Sequence, residues 1–200
     1  MRQSILAFTA TALCAFSTLA ANVGEPAPAF KGVDVITGKE VSNETVKGKI
    51  TVLEWNNFGC PFVKKFYGAG EMQRLQAAAT KDGVVWVTIN SSAKDKEGFL
   101  KDAKEAKAEI ASHQGHQTHY LLDHDGTIGH AYGAKSTPHM FVIAEDGKLA
   151  YQGAMDDQPT PDASNIKNAN NYVMAAIAAL KAGKAAEPSS TRAYGCSVKY

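Results

Sequence analysis

Short apolar runs in this chain alternate with longer amphipathic stretches, a pattern typical of alternating strands and helices. Val84–Ile89 is continuously apolar and rich in β-branched residues, as in a strand buried on both faces. A second apolar run, Ile50–Trp55, is followed by a helix-like stretch from Pro61. This succession predicts an α/β domain with a mixed sheet.

The rest of the chain continues the pattern. The other predicted elements are, in order, a hairpin over Phe30–Glu40, helices over Glu71–Ala79 and Glu97–Ser112, a strand over Tyr120–Leu122, a hairpin of Met140–Ile143 and Leu149–Tyr151, and a helix over Asn171–Lys181. Residues 185–200 have no clear periodicity and are predicted to be a tail that matters only if it docks.

The start of the chain has the pattern of a secretory signal peptide. Arg2 precedes an apolar stretch from Ile5 to Phe16, and Leu19–Ala21 supplies a small-residue cleavage site. An uncleaved membrane anchor is the alternative, although the stretch is short and diluted by Ser and Thr. The predicted division is a signal peptide over 1–21, a domain over 22–184 and a tail over 185–200, in an exported protein that is periplasmic or secreted.

Composition narrows the classes of function. The hydrophobic content of 44% and charged content of 20% are those of a folded soluble domain. The formal net charge of +1 gives no reason to expect nucleic acid or an anionic membrane as a partner. We therefore expect no nucleic-acid partner, and no membrane partner after signal cleavage.

Cys60 lies where a predicted strand meets a predicted helix. The first helical turn has unpaired N–H groups and the positive end of the helix dipole, and both favour a thiolate. Pro61 suits the first helical position, and Lys64 and Lys65 add positive charge one turn later. The pattern predicts a reactive thiolate; the alternative is a small buried residue that only packs.

Cysteine content adds a partner for this thiol. Cys14 lies in the predicted signal peptide, so the mature chain holds Cys60 and Cys196. In an oxidising compartment such a pair forms either one structural bridge or an attacking and a resolving thiol. The sequence leaves both readings open.

A third motif is Thr137–Pro138 at the start of an apolar strand. Proline cannot donate to a strand ladder, so it is confined to strand starts and edges. The motif is compatible with a cis Thr137–Pro138 bond in a tight turn and with an ordinary trans loop proline, which is the more common case for such a segment taken alone.

Together these segments resemble the thioredoxin fold, and within it the peroxiredoxin-like redoxins of the alkyl hydroperoxide reductase/thiol-specific antioxidant superfamily, in an exported group. The segments that carry the resemblance are Gly59–Lys65, Thr137–Phe141 and Gly195–Tyr200. The resemblance implies a mixed central sheet flanked by helices, with an N-terminal hairpin extension and a C-terminal tail. It also implies thiol chemistry at Cys60, facing a substrate wall of Thr137 and Pro138. No cofactor is implied, because the sulfurs carry the electrons.

The chain departs from the family at catalytic positions. Dithiol oxidoreductases use Cys-x-x-Cys, but Asn57 stands where the first cysteine would be. Peroxiredoxins use Pro-x-x-x-Thr/Ser-x-x-Cys, and the equivalents here are Leu53 and Asn57. Asn57 can donate to a bound oxygen but does not reproduce a hydroxyl. Cys196 is then the candidate resolving thiol.

Several polar residues complete the candidate set. His139, directly after the proline, is expected near Cys60 as a base or a charge that lowers the thiol pKa, or else as a structural histidine. The triplet His113, His116 and His119 is a weak candidate for metal binding, with a solvated loop as the default. Asp156–Asp157 can pair with a lysine or cap a turn, and a solvated acidic loop is the default.

The sequence thus predicts a thiol-based redox protein, either a thiol-disulfide oxidoreductase or a peroxiredoxin-like thiol peroxidase. Its partners would be an external thiol or disulfide and possible peroxide substrates. One alternative is a non-catalytic binding or folding-assistance module with a structural Cys60–Cys196 disulfide. A weaker one is metal handling by Cys60 with histidines.

Overall fold

The computed structural model describes residues 21–200, so the predicted signal peptide lies outside the described residues except for Ala21. The elements are β1 (Lys31–Val33), β2 (Glu40–Ser42), β3 (Thr51–Trp55), α1 (Pro61–Gly68), α2 (Glu71–Lys81), β4 (Val85–Asn90), α3 (Ala103–Ser112), β5 (His119–Leu122), α4 (Thr127–Tyr132), β6 (Ser136–Thr137), β7 (His139–Ile143), β8 (Leu149–Gly153), a 3₁₀ helix (Ala163–Asn168), α5 (Tyr172–Lys181) and β9 (Cys196–Ser197). In this part of the chain, no helix has the length and apolar character that a membrane crossing requires.

A five-stranded mixed sheet forms the centre of the domain, in the order β5-β4-β3-β7-β8. Strands β3, β4 and β5 run parallel, whereas β7 is antiparallel to both β3 and β8. The loop after β3 leads to Cys60, and β7 begins directly after Pro138. The predicted α/β, thioredoxin-like architecture is confirmed.

Side chains on the two faces of this sheet belong to two separate cores, because successive strand residues point to opposite faces. On β7, Met140 and Val142 pack in the core that contains Cys60 and the buried residues of α1, α2 and α5. Phe141 and Ile143 pack in the other core, with residues of α4 and the N-terminal hairpin. Even-numbered residues of β7 therefore lie on the Cys60 side of the sheet, and odd-numbered residues lie on the opposite side.

The helix predicted over Glu97–Ser112 is shorter in the structure. It begins at Ala103, because the Asp102 side chain caps it by accepting from two backbone N–H groups. Gly98, at φ 78°, has a left-handed conformation that does not belong in a helix. The segment before α3 is therefore a loop, and this loop packs beside the cysteine.

Four short elements were not predicted: α4, the 3₁₀ helix, and the paired strands β6 and β9. Each is too short to show periodicity. The pair matters most, because β9 lies in the tail and pairs antiparallel with β6, with Thr137 opposite Cys196. The tail is therefore docked on the domain through a small sheet of its own.

Candidate active site

Cys60 is the N-cap residue of α1, as the sequence predicts, with φ −67° and ψ 127°. Its N–H donates to the Asn57 carbonyl at 2.9 Å, which closes the turn that ends the β3 loop. The side chain caps no backbone group and is fully buried. The local sequence thus delivers a sulfur to the N-terminal end of a helix, beneath other parts of the chain.

Cys196 is the nearest sulfur to this thiol. The two Sγ atoms are 2.6 Å apart and both cysteines are free, whereas a disulfide bond is about 2.05 Å long. β9 brings Cys196 to this position by pairing with Thr137. Sequence reasoning left the reach of Cys196 open, and the structure places the two thiols side by side.

The two thiols differ in acidity. Burial raises the pKa of Cys60, but contacts with the Cys196 and Thr137 side chains and hydrogen bonds with the backbone of Cys196 and Val63 outweigh it, so the pKa is lowered. Burial raises the pKa of Cys196 to about 12, together with its hydrogen bond to Cys60 and the charge there. Cys60 is therefore the first of the two thiols to ionise. The Cys60 thiolate is stabilised because it accepts a hydrogen bond from the Cys196 S–H.

Thr137 and Pro138 face this pair. The Thr137–Pro138 peptide bond is cis, one of the two readings that the sequence left open. Cys60 Sγ lies 3.0 Å from the Thr137 carbonyl oxygen, to which the protonated thiol can donate. The Thr137 hydroxyl is buried and has no hydrogen-bond partner among the described residues. In this conformation the predicted substrate wall is covered by the tail.

The tail fits against this wall because it carries a glycine there. Gly195 has φ 141°, and a Cβ at this position would overlap the Thr137 carbonyl group. Only a residue without a side chain lets the two backbones approach so closely. Gly195 is a requirement for docking that sequence reasoning did not identify.

Asn57 shapes the loop around the cysteine. Its Oδ1 accepts from the Gly59 N–H at 2.8 Å, and its Nδ2 donates to the Glu97 carbonyl at 3.0 Å. A Cβ on Gly98 would overlap the same amide. The side chain is buried, and both ends of its amide already bind backbone groups. The structure gives Asn57 this loop contact, while its predicted oxygen-binding role stays a prediction.

His139 is not brought to the cysteine. It lies on the same face of β7 as Phe141, whose ring centroid is 4.4 Å from its own, and therefore on the face away from Cys60. Its Nδ1 accepts from the Lys135 N–H at 3.2 Å. Burial lowers the His139 pKa to about 4, helped by the charge of Lys135. The structure therefore contradicts the expected neighbourhood of His139 and Cys60.

The two lysines of α1 differ sharply in environment. Lys64 is exposed and lines an open cavity of about 400 Å³ that also includes Phe58 and Gly59. The Lys65 side chain is fully buried, and its Nζ is 3.2 Å from Asp156 Oδ2. Lys65, rather than Lys64, is therefore packed inside the domain.

Lys65, Asp156 and Tyr194 form a buried polar cluster. Lys65 Nζ also donates to the Gln158 carbonyl at 2.8 Å and lies 3.4 Å from the Tyr194 hydroxyl. That hydroxyl donates to Asp156 Oδ1. The default of a solvated loop is wrong for Asp156, whereas the alternative of pairing with a lysine is confirmed. A buried cation and a tyrosine bind its carboxylate. This cluster ties the tail to α1 close to Cys196.

The predicted histidine triplet does not converge. His113 stacks on Phe58 with centroids 4.1 Å apart, and His119 Nδ1 lies 3.1 Å from Asp34 Oδ2. The His116 backbone donates to the Gln76 side chain. Within residues 21–200, no cluster of three His, Cys, Asp or Glu side chains is placed to hold a metal ion.

Comparison with known proteins places this geometry in a family. The Redoxin family model matches residues 22–170, and no curated protein sequence matches the chain. Among solved structures, an uncharacterized conserved protein from Geobacillus kaustophilus is 28% identical with a TM-score of 0.75, covering 90% of this chain and 92% of its own. A hypothetical protein from Sinorhizobium meliloti 1021 is 22% identical with a TM-score of 0.72, over 91% and 96% of the two chains.

More distant structures share the fold. The thioredoxin domain of a thiol-disulfide oxidoreductase from Bacteroides vulgatus is 21% identical with a TM-score of 0.52, covering 74% of this chain and 97% of that one. The family match spans the sheet and the Cys60 helix, including the Thr137–Pro138 turn that faces them. The chain therefore belongs to the Redoxin family.

Proposed function

We propose that this protein is a thiol-based redox protein in which Cys60 attacks and Cys196 resolves. The observation that carries the proposal is the 2.6 Å separation between the two sulfurs, from which a disulfide bond of about 2.05 Å forms with little movement. Their pKa values move in opposite directions, so one acts as the nucleophile while the other holds its proton.

The chemistry follows in two steps. The Cys60 thiolate attacks a disulfide R–S–S–R′, forming a Cys60–S–S–R bond and expelling R′–S⁻. The Cys196 sulfur then attacks Cys60 Sγ, and the bond between Cys60 Sγ and the sulfur of R breaks. The leaving sulfur takes the Cys196 proton and departs as R–SH. The substrate disulfide is reduced by two electrons and the Cys60–Cys196 pair is oxidised. An external thiol returns the pair to its reduced form.

Disulfide exchange fits the site better than peroxide reduction. The wall at Thr137 already holds an extended segment with its cysteine against Cys60, which is the arrangement that a disulfide substrate needs. One observation favours a peroxidase as the second candidate: the Thr137 hydroxyl is buried and unpartnered in the described chain, and can donate to a peroxide oxygen. The product would then be a sulfenic acid at Cys60, which condenses with Cys196 and releases water.

Matched cysteine variants test the proposal. We expect Cys60→Ser to lose reaction with both a model disulfide and hydrogen peroxide. Cys196→Ser should keep the first attack and accumulate a mixed disulfide or sulfenic acid at Cys60. Mass spectrometry of the intact protein identifies each species. Wild-type rates in the Cys60→Ser protein would refute the proposal.

The non-catalytic alternative predicts a different redox behaviour. A permanent clip should have a reduction potential below about −300 mV and resist the glutathione pool, whereas a cycling pair has a higher potential. Equilibration of the pair against glutathione buffers measures this potential. The signal-like segment further supports an exported protein that exchanges electrons with thiols outside the cytoplasm.

A further inference from the structure

Two tyrosines bracket Cys196 in the tail, and each has a prepared seat on the domain. Tyr194 precedes the cysteine by two residues and Tyr200 follows it by four. Between them, the contact of Gly195 with Thr137 and the β9 pairing hold the backbone. Cys196 is therefore held from both sides.

The seat of Tyr194 is the buried cluster on α1. Its hydroxyl donates to Asp156, whose charge is balanced by the fully buried Lys65. Its ring meets Phe62 edge-on at a centroid distance of 5.8 Å. Burial and the neighbouring carboxylate raise the pKa of Tyr194, so the hydroxyl keeps the proton that it donates.

The seat of Tyr200 is a slot on α4. A Cβ on Gly129 would overlap the Tyr200 ring, and a Cβ on Gly126 would lie 2.7 Å from it. The ring stacks on His130 with centroids 4.1 Å apart, and its hydroxyl donates to the Ala134 carbonyl at 2.9 Å. Two glycines thus leave the space that one aromatic ring fills.

Access to Cys60 makes these seats significant. The Cys60 side chain is fully buried under the docked tail. Its first partner sulfur can reach it only when the tail moves aside, and Cys196 can resolve the product only when the tail returns. The two reaction steps therefore need opposite states of one segment.

We propose that Tyr194 and Tyr200 are positioning residues that set the rate of the resolving step by returning Cys196 to Cys60. This inference rests on the proposed function and concerns its second step, in which Cys196 attacks the mixed disulfide at Cys60. Weaker seats lower the fraction of time that Cys196 spends at Cys60, and with it the rate of intramolecular attack. Cys60 attacks an outside disulfide from the undocked state, in which neither seat is occupied.

One experiment separates the two steps. The reduced full-length protein is mixed with less than one equivalent of 2,2′-dithiodipyridine, and release of pyridine-2-thione is followed by absorbance. The first release reports attack by Cys60 on the probe. The second reports attack by Cys196 on the mixed disulfide, which leaves the Cys60–Cys196 bond. Every mole of probe therefore yields two moles of thione when both steps proceed.

The variants are Tyr194→Phe and Tyr200→Phe, which keep the ring and remove the hydroxyl. We expect the second phase to slow by about tenfold in Tyr194→Phe, which loses a hydrogen bond to a charged group, and less in Tyr200→Phe. The first phase should be unchanged or faster. Tyr172→Phe is the matched control, because Tyr172 lines the same cavity of about 730 Å³ as Tyr194 without contributing a hydroxyl hydrogen bond among the described residues.

Each other outcome has a definite meaning. An unchanged second phase in both tyrosine variants overturns this inference and leaves the proposed function intact. Equal slowing of both phases overturns it too, since it indicates a general structural effect. If the unaltered protein releases no second equivalent, the proposed function fails and this inference fails with it.

Discussion

The two regions that meet at the candidate active site differ in how they are held. The Cys60 region is regular: a central strand, a turn closed by Asn57, and a helix that starts at Pro61. The Cys196 region is an extended tail held by side-chain seats and a two-residue strand. A fixed nucleophile thus faces a partner whose position depends on a few contacts.

Because of this difference, the reactivity of Cys60 and the availability of Cys196 depend on different contacts. The thiolate character of Cys60 comes from its N-cap position together with the Cys196 proton. The availability of Cys196 comes from Lys65, Asp156 and Tyr194, none of which touches a reacting sulfur in the described hydrogen-bond network. Substitutions in the tail cluster can therefore change how often Cys196 is present without altering the strand and helix that position Cys60.

The largest expected effect is at the joint between the two regions, the buried cluster of Lys65, Asp156 and Tyr194. Lys65→Met leaves the Asp156 carboxylate buried without its cation, which should cost about 3–5 kcal/mol of unfolding free energy. Lys64→Met is the matched control on the same helix turn, and its exposed side chain predicts a change within about 0.5 kcal/mol. Urea unfolding of both variants measures the difference. Similar stabilities for the two would mean that the buried cluster does not hold the joint.

A second effect belongs to the opposite face of the sheet and depends on pH. Because the His139 pKa is lowered to about 4 in the folded protein, the unfolded state binds more protons below its own pKa of about 6.5. Stability should therefore fall by about 3 kcal/mol as the pH drops from about 6.5 to 4. His139→Gln should remove this slope from unfolding curves measured across that range.

The same variant tests where His139 acts. Because its side chain faces away from Cys60, His139→Gln should leave the Cys60 pKa unchanged. Alkylation of Cys60 with iodoacetamide as a function of pH gives that pKa. A clear shift in the alkylation profile would return His139 to the active site.

The smallest expected change in stability accompanies a distinct change in exposure. Gly195→Ala would force the tail away from Thr137, at a cost of about 1–3 kcal/mol from overlap. Cys60 should then become open to alkylation by bulky maleimides. Gly183→Ala is the control, since Gly183 also has positive φ but an added Cβ would meet open space. Equal protection of Cys60 in both variants would show that the tail is not its cover.

The sequence contains the information for the Cys60 half of the site because that half is local. A strand run, Pro61 at the first helical position and Thr137–Pro138 before an apolar strand are all readable from neighbouring residues. The mixed central sheet was implied by the resemblance to the thioredoxin fold. These features gave the correct fold and the correct helix start.

The other half depends on contacts between distant residues. Nothing beside Lys65 in the sequence distinguishes it from Lys64, and its burial is set by Asp156, 91 positions away. His139 was misplaced because the face of a strand residue depends on register, which a one-residue difference reverses. The one usable local signal for the tail was Tyr-Gly-Cys at 194–196, where a glycine beside a cysteine marks a close backbone approach.

The place of Cys196 in the chain also governs the order of assembly. Its partner lies 136 positions earlier, so their contact closes a long loop and is non-local, unlike the contacts within α1. The central sheet and α1 are built from residues that precede the tail, so a chain whose tail has not yet docked leaves Cys60 uncovered. During that interval the thiol is open to any passing disulfide or oxidant. The mature resting state is therefore reached only when the last segment closes over a cysteine that was made ready much earlier.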